Sequence, residues 1–254
     1  LPMILGNDRT RLSKPHGAAS VQEFRARGYL SDSLVNYLAL LGWAFDDKTE
    51  FFARDDLVKK FSLKKVSKNP AAFDPAKLDH IDGEHFKRLD PMARVAIVRD
   101  KLAEAGVLPA DFQPVEWGDC EEVSRLAFVL KEMGNRLKNV KDAPEKLAYF
   151  NKDDFTVDRD ALAMHLKSPE NLRFLESLAA RLEALDPFDR TTIEEATRGF
   201  AEKIGVKAGD LIHPCRTALT GQAVSPDIFS VIHLLGREKS VERLKSAGRP
   251  AGAG

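Results

Sequence analysis

The 254-residue sequence has little cysteine, no surplus charge and no long apolar run, and each absence removes a class of protein. Its two cysteines, Cys120 and Cys215, are separated by 95 positions, with no Cys-x-x-Cys and no His at ligand spacing. Neither a disulfide framework nor a zinc site is indicated, and a reducing, cytoplasmic setting is the expectation. The 39 Lys and Arg are balanced by 39 Asp and Glu, which excludes a protein that grips nucleic acid by bulk positive charge but leaves room for local basic surfaces. Charged residues make up 31% of the chain and punctuate every apolar stretch too closely for a membrane span. Internal repeats, heptad arrays and low-complexity tracts are also missing, apart from a tail at 248–254 that is expected to be mobile.

What the sequence does have is helical grammar. A 43% hydrophobic content is ordinary for a globular chain and sufficient for one large or several small cores. The opening run Leu1-Pro2-Met3-Ile4-Leu5 is strand-like, too short for a signal peptide and preceded by no basic region. Lacking an initiator Met, it is expected to enter partway through a larger fold. Ser20-Val21-Gln22-Glu23 is a capping box that opens a short helix ending at Gly28. Leu34, Leu38 and Leu41 form the stripe of a second helix, with Ser31 or Asp32 as its cap and Gly42 as its left-handed stop. Short pieces follow between Asp46 and Leu89, broken by Asn69-Pro70 and Asp74-Pro75, and Asp90-Pro91 starts a helix reaching about Gly106.

The clearest amphipathic pattern runs through Val123, Leu126, Leu130, Met133 and Leu137, and is read as one long helix. Its polar side carries Arg125, Lys131, Arg136, Lys138 and Lys141 against the single acid Glu132, a positive stripe that charge count alone would assign to a solvated surface. Further on, Ser168-Pro169, Thr191-Thr192, His213-Pro214 and Ser225-Pro226 each read as a helix start, and Gly205, Gly221, Gly236 and Gly248 as helix ends. His165, His213 and His233 read as packing or surface histidines, and Cys215 as buried.

One segment departs from packing logic. Arg9-Thr10-Arg11-Leu12-Ser13-Lys14-Pro15-His16-Gly17 puts three of the chain's cations into a turn-rich loop suited to phosphate oxygens. Residues 11–18 resemble the Lys-Met-Ser-Lys-Ser signature of class I aminoacyl-tRNA synthetases, in the Lys-Leu-Ser-Lys-Arg-His-Gly form of the bacterial glutamyl-tRNA synthetases. Gly28-Tyr29-Leu30, the run from Leu34 to Trp43, and Phe73-Asp74-Pro75-Ala76-Lys77-Leu78 resemble the same enzymes in the same order. So do His213-Pro214-Cys215-Arg216-Thr217-Ala218-Leu219-Thr220-Gly221 and Leu234-Leu235-Gly236-Arg237-Glu238. The other class I signature, His-Ile-Gly-His, is not found. His80-Ile81-Asp82-Gly83 is similar to it only superficially, without the second His, and is read as a turn between helices.

The resemblance implies a mainly α fold of successive helical bundles after a short remnant of a class I Rossmann catalytic domain. Its expected parts are the end of the catalytic domain with the KMSKS-like loop at 1–24, stem-contact helices at 25–88, and two anticodon-binding subdomains at 89–148 and 149–254. It implies an enzyme of the glutamate–tRNA ligase type, with ATP and its Mg2+ as cofactors and tRNA(Glu) as partner. L-glutamate and ATP would engage through a half of the enzyme not present here, and the chain alone would not form adenylate. Membrane and DNA are not implied as partners. Lys14 matches the catalytic lysine that meets growing phosphate charge, worth about 3 kcal/mol per well-placed donor in a site shielded from water. Arg11, Leu12, Ser13 and Lys14 together match the ATP-contacting loop, whereas Pro15 departs from the usual Arg or Ser and removes a backbone donor.

For RNA the resemblance points to Arg136, where members that discriminate tRNA(Glu) carry an arginine against the third anticodon base, and to Arg216, Ser225, Pro226 and Ile228. Ser225-Pro226 also fits a plain helix cap and Ile228 a core residue, so both readings stand at these three positions. No protein metal site is expected. The alternative function is a stand-alone, non-catalytic helical module that binds tRNA.

Overall fold

A computed structural model describes residues 2–6, 10–11, 20–108, 121–151 and 155–247, without the side chains of 121–125 and 151. The Lys14 loop, with Leu12, Ser13 and Pro15, lies outside these residues, as do Cys120 and the tail from Gly248. Among the described residues are thirteen α-helices and one two-stranded parallel sheet, so the mainly α expectation holds. The chain divides into two compact units, residues 1–104 with 137–143, and residues 105–136 with 144–254.

In the first unit β1 (Ile4–Leu5) pairs with β2 (Ala71–Ala72), and Arg11 folds back to bridge Leu5. Helix α1 (Val21–Arg27) opens on the expected box, Glu23 N–H donating to Ser20 Oγ at 3.2 Å and Ser20 N–H to Glu23 Oε2 at 3.3 Å. Helix α2 (Ser31–Leu40) follows, then α3 (Arg54–Lys60), α4 (Pro75–Arg88) and α5 (Pro91–Glu104). The principal core joins Leu34 and Tyr37 of α2 to Leu78 and Ile81 of α4, edged by Phe24, Tyr29 and Phe73. Asn36 is buried too, because its amide is fully used: it donates to the Glu50 carbonyl, accepts from the Phe52 N–H and meets His85 Nε2.

The second unit holds α6 (Glu121–Met133), α7 (Ala143–Asn151), α8 (Arg159–His165), α9 (Pro169–Glu183), α10 (Arg190–Lys203), α11 (Ala208–Thr220), α12 (Ile228–Leu235) and α13 (Arg237–Ser246). Ser168 caps α9 with Pro169 at its first position, as expected, and Leu175, Leu178, Ala179 and Leu182 turn one apolar stripe into the core. Helix α9 packs against α11 and α13, and α10 against α12.

Several local expectations are corrected. The long helix through Leu137 ends at Met133, because Gly134 turns to a φ of +50° and a 3₁₀ turn at 134–136 follows. Leu137 is buried, but in the 137–143 segment that packs into the first unit, and the supposed positive stripe breaks with it: Lys141 pairs with Asp79 there. His213-Pro214 does not start a helix; α11 begins at Ala208 and Pro214 sits inside it. Ser225-Pro226 precedes α12 without capping it, the cap being Asp227. Asp189, rather than Thr191, caps α10, with Thr192 completing the box. Residues 80–83 lie within α4 and form no turn. In α2 the buried residues are Ser33, Leu34, Asn36 and Tyr37 while Leu38 is exposed; Leu30 is the N-cap without a side-chain bond, and Leu41 precedes Gly42 as the C-cap.

Candidate functional site

In the second unit, two of the sequence-selected residues, Arg216 and Arg136, come within electrostatic reach of each other from elements distant in the chain. Arg216 stands on α11, one turn before its end, and is half-buried. Among the described residues its guanidinium makes no hydrogen bond, and its Nε is buried without a partner. Burial, then the charge of Arg136, holds Arg216 below its ordinary pKa, partly offset by Cys215, Asp227 and Tyr149. Arginine keeps its proton in a protein, so the Arg216 guanidinium stays charged in this half-buried position.

Arg136, its electrostatic neighbour, is exposed on the 3₁₀ turn that follows α6. Its Nη1 donates to the Glu132 carbonyl at 3.4 Å, and its own carbonyl accepts Lys146 Nζ at 2.7 Å. The Gly134 break that ends α6 is what puts Arg136 on a turn, away from the helix surface.

The remaining sequence-selected residues lie at the start of α12. Ser225 is only 3% exposed and its hydroxyl donates to the Pro226 carbonyl; Pro226 is buried, and Ile228, the first residue of α12, is 2% exposed. Three residues that sequence reasoning passed over, Asp227, Arg190 and Ser230, bond one another around this helix start and reach Glu132. Asp227 caps α12 by accepting the Ser230 N–H and hydroxyl, both at 3.1 Å, and pairs with Arg190 at 3.2 Å. The Ser230 hydroxyl also lies 3.3 Å from Glu132 Oε2, so that its single proton is shared between the two carboxylates and α12 is joined to α6. The signal that could have found Asp227 is its place before an apolar run, where a carboxylate at N-cap is strongly favoured.

Arg11 is exposed beside β1, and its expected companions Leu12, Ser13 and Lys14 fall outside the described residues. Burial pushes the Cys215 thiol up to about 12, leaving it inert. His165 and His213 stack on each other at 5.7 Å. Among the described residues no group of three or more His, Cys, Asp or Glu is placed to hold a metal ion, and no helix is long and apolar enough to cross a membrane.

Residues 92–248 match the anticodon binding domain family, and residues 1–80 match the catalytic domain of class I tRNA synthetases for glutamate and glutamine (E and Q). The glutamate–tRNA ligase of Desulfosudis oleivorans is 40% identical over 247 residues, covering 97% of this chain and 50% of the relative. That of Moorella thermoacetica is 36% identical over 251 residues, with coverage of 98% and 50%. The chain thus spans about half the length of the curated relatives it matches. A crystal structure of a glutamate tRNA ligase from Elizabethkingia meningosepticum superposes with a TM-score of 0.76 at 24% identity, over 98% of this chain and 50% of that one, a likeness of fold.

Proposed function

We propose, from the premise that this chain belongs to the anticodon binding domain family, that it supplies the tRNA-binding part and the lysine loop of a glutamate–tRNA ligase. The observation that carries the reading is Arg216: a half-buried guanidinium with no hydrogen bond among the described residues, set against a second, exposed arginine. An anticodon loop presents unstacked bases whose edges accept bidentate arginine bonds, and such a ligand relieves the unmet charge. In this reading Arg216 and Arg136 contact anticodon bases, while Ser225, Pro226 and Ile228 hold the turn on which α12 begins.

The proposed assembly runs from a catalytic remnant at 1–24 through stem-contact helices at 25–88 to anticodon-binding subdomains at 89–148 and 149–254. Ligation itself needs ATP with Mg2+, L-glutamate and the partner half carrying the other class I signature. Lys14, with Arg11, Leu12 and Ser13, would stabilise charge on the phosphates as the glutamate carboxylate attacks the α-phosphorus and pyrophosphate leaves. A hydroxyl of the tRNA(Glu) 3′-terminal ribose then attacks the glutamyl carbonyl of the adenylate, and AMP leaves as the ester forms. The enzyme would act in the cytoplasm.

The test is direct binding of tRNA(Glu) and tRNA(Gln) transcripts to the purified chain, followed by fluorescence anisotropy. Preferential binding of tRNA(Glu), weakened by Arg216→Ala, is expected. Absence of tRNA affinity would refute the reading, and turnover of ATP and glutamate by the chain alone would refute its need for a second half.

A further inference from the structure

Within the first unit a cleft of about 510 Å3 lies between α4 and the 137–143 segment, lined among others by Asp79, His80, Glu84, Lys138 and Asn139. Its wall holds an amide that the fold does not use. Asn139 is 5% exposed, its Oδ1 is buried without a partner, and its Nδ2 makes no hydrogen bond among the described residues. Asn139 occupies the N-cap of the 3₁₀ turn at 140–142, where asparagine ordinarily bonds a free turn N–H, yet its side chain makes no such bond.

A second observation concerns Gly83, buried inside α4 and lining the same cleft. A Cβ there would lie 3.1 Å from Asn139 Oδ1 and 3.4 Å from the Lys138 carbonyl. Glycine in a helix interior costs about 1 kcal/mol against alanine. Here its return is room: without a side chain at 83, the amide can sit against the helix.

The charges of the cleft narrow the ligand. Lys87, Lys138 and Lys141 are matched by Asp79, Glu84 and Asp142. Lys141 is committed to Asp79 and the Tyr29 hydroxyl, and Lys87 and Arg88 to Glu84, whereas exposed Lys138 has no ion pair among the described residues. The cleft therefore offers a ligand the Lys138 ammonium and the Asn139 amide, which can both donate and accept. A group that both donates and accepts fits, and the RNA 2′-hydroxyl is such a group.

We infer that this cleft reads ribose, with Asn139 on a 2′-hydroxyl of a tRNA stem and Lys138 on the adjoining phosphate. The inference rests on the tRNA-binding reading above and extends it to a second, chemically different contact. It makes the first unit a sensor of RNA as opposed to DNA, independent of the anticodon bases.

The experiment changes the RNA as well as the protein. tRNA(Glu) transcripts carrying single 2′-deoxy substitutions along the stems are titrated against the full chain, Asn139→Ala and Lys138→Gln, with melting temperatures recorded for each protein. At one or two adjacent stem positions, 2′-deoxy substitution should weaken binding about three- to tenfold, the size of one hydrogen bond. Asn139→Ala should lose the same factor with ordinary tRNA and nothing more with that deoxy RNA. Lys138→Gln should weaken all these RNAs alike and flatten the salt dependence. Additive losses, or indifference to every stem 2′-hydroxyl, would overturn the inference while leaving an Arg216→Ala effect, and the parent reading, in place. A chain with no tRNA affinity would remove both.

Discussion

Two arginines of the second unit, Arg243 and Arg216, have similar chemistry and opposite employment. Arg243, on α13, is buried, and its Nη1 donates to the Tyr149 carbonyl at 2.8 Å and the Leu219 carbonyl at 2.9 Å. Those carbonyls lie in the last turns of α7 and α11, where unpaired acceptors and the negative helix end both favour a cation. The Phe155 ring packs 4.6 Å from its guanidinium carbon. Arg216, on α11 itself, has none of this. The difference separates an arginine whose terminal nitrogens are bonded inside the protein from one with no hydrogen bond among the described residues, and the proposed RNA contact rests on that difference.

That contrast can be broken by substitution, and the effects should fall in a definite order. The largest is Arg243→Met, which strips two buried carbonyls of their donor and should cost about 2 to 4 kcal/mol, read as a lower midpoint in chemical denaturation. Next, Arg216→Ala should leave the melting temperature within a degree or two, roughly the scatter of a neutral change, and weaken tRNA(Glu) binding about 10- to 100-fold. Arg136→Gln should be milder in affinity, about fivefold, but should narrow the gap between tRNA(Glu) and tRNA(Gln) in competition. The smallest effect sharpens the comparison: Cys215, sequential neighbour of Arg216, should resist alkylation at pH 8 in both the parent and Arg216→Ala, and react only on unfolding. Rapid labelling in the variant would mean that Arg216 plugs the core, and the contrast with Arg243 would dissolve.

Much of the fold was legible because it follows from local rules. The Ser20–Glu23 box and the Ser168-Pro169 start are decided within four residues, and the α9 stripe within eight. What was not legible was decided by tertiary contact. Gly134 inside an apolar period of helical spacing reads as a tolerated glycine, since its cost is small beside a long stripe, and only the burial of Leu137 in the other unit makes it a break. Pro214 reads as a helix start because that is proline's favoured place, whereas the helix around it is held by Leu211, Cys215 and Leu219 in the core.

The candidate site divides the same way. Arg136 and Arg216 were named through family resemblance, but nothing in their spacing says that they meet; that requires the turn after α6 to come to α11. Asp227 escaped notice because Ser225-Pro226 offered an equally regular cap two residues earlier. Asn139 and Gly83 carry no sequence signal at all, each being an ordinary residue until the 137–143 segment is laid against α4.

The most direct measurement is a paired titration of tRNA(Glu) against the parent chain and Arg216→Ala, with the thermal unfolding of both recorded in the same buffer. Weaker binding by at least tenfold at an unchanged melting temperature is what an arginine reserved for RNA requires, the factor being about that of one base contact. Equal binding by the two proteins, or a loss that tracks a fall in melting temperature, would contradict it.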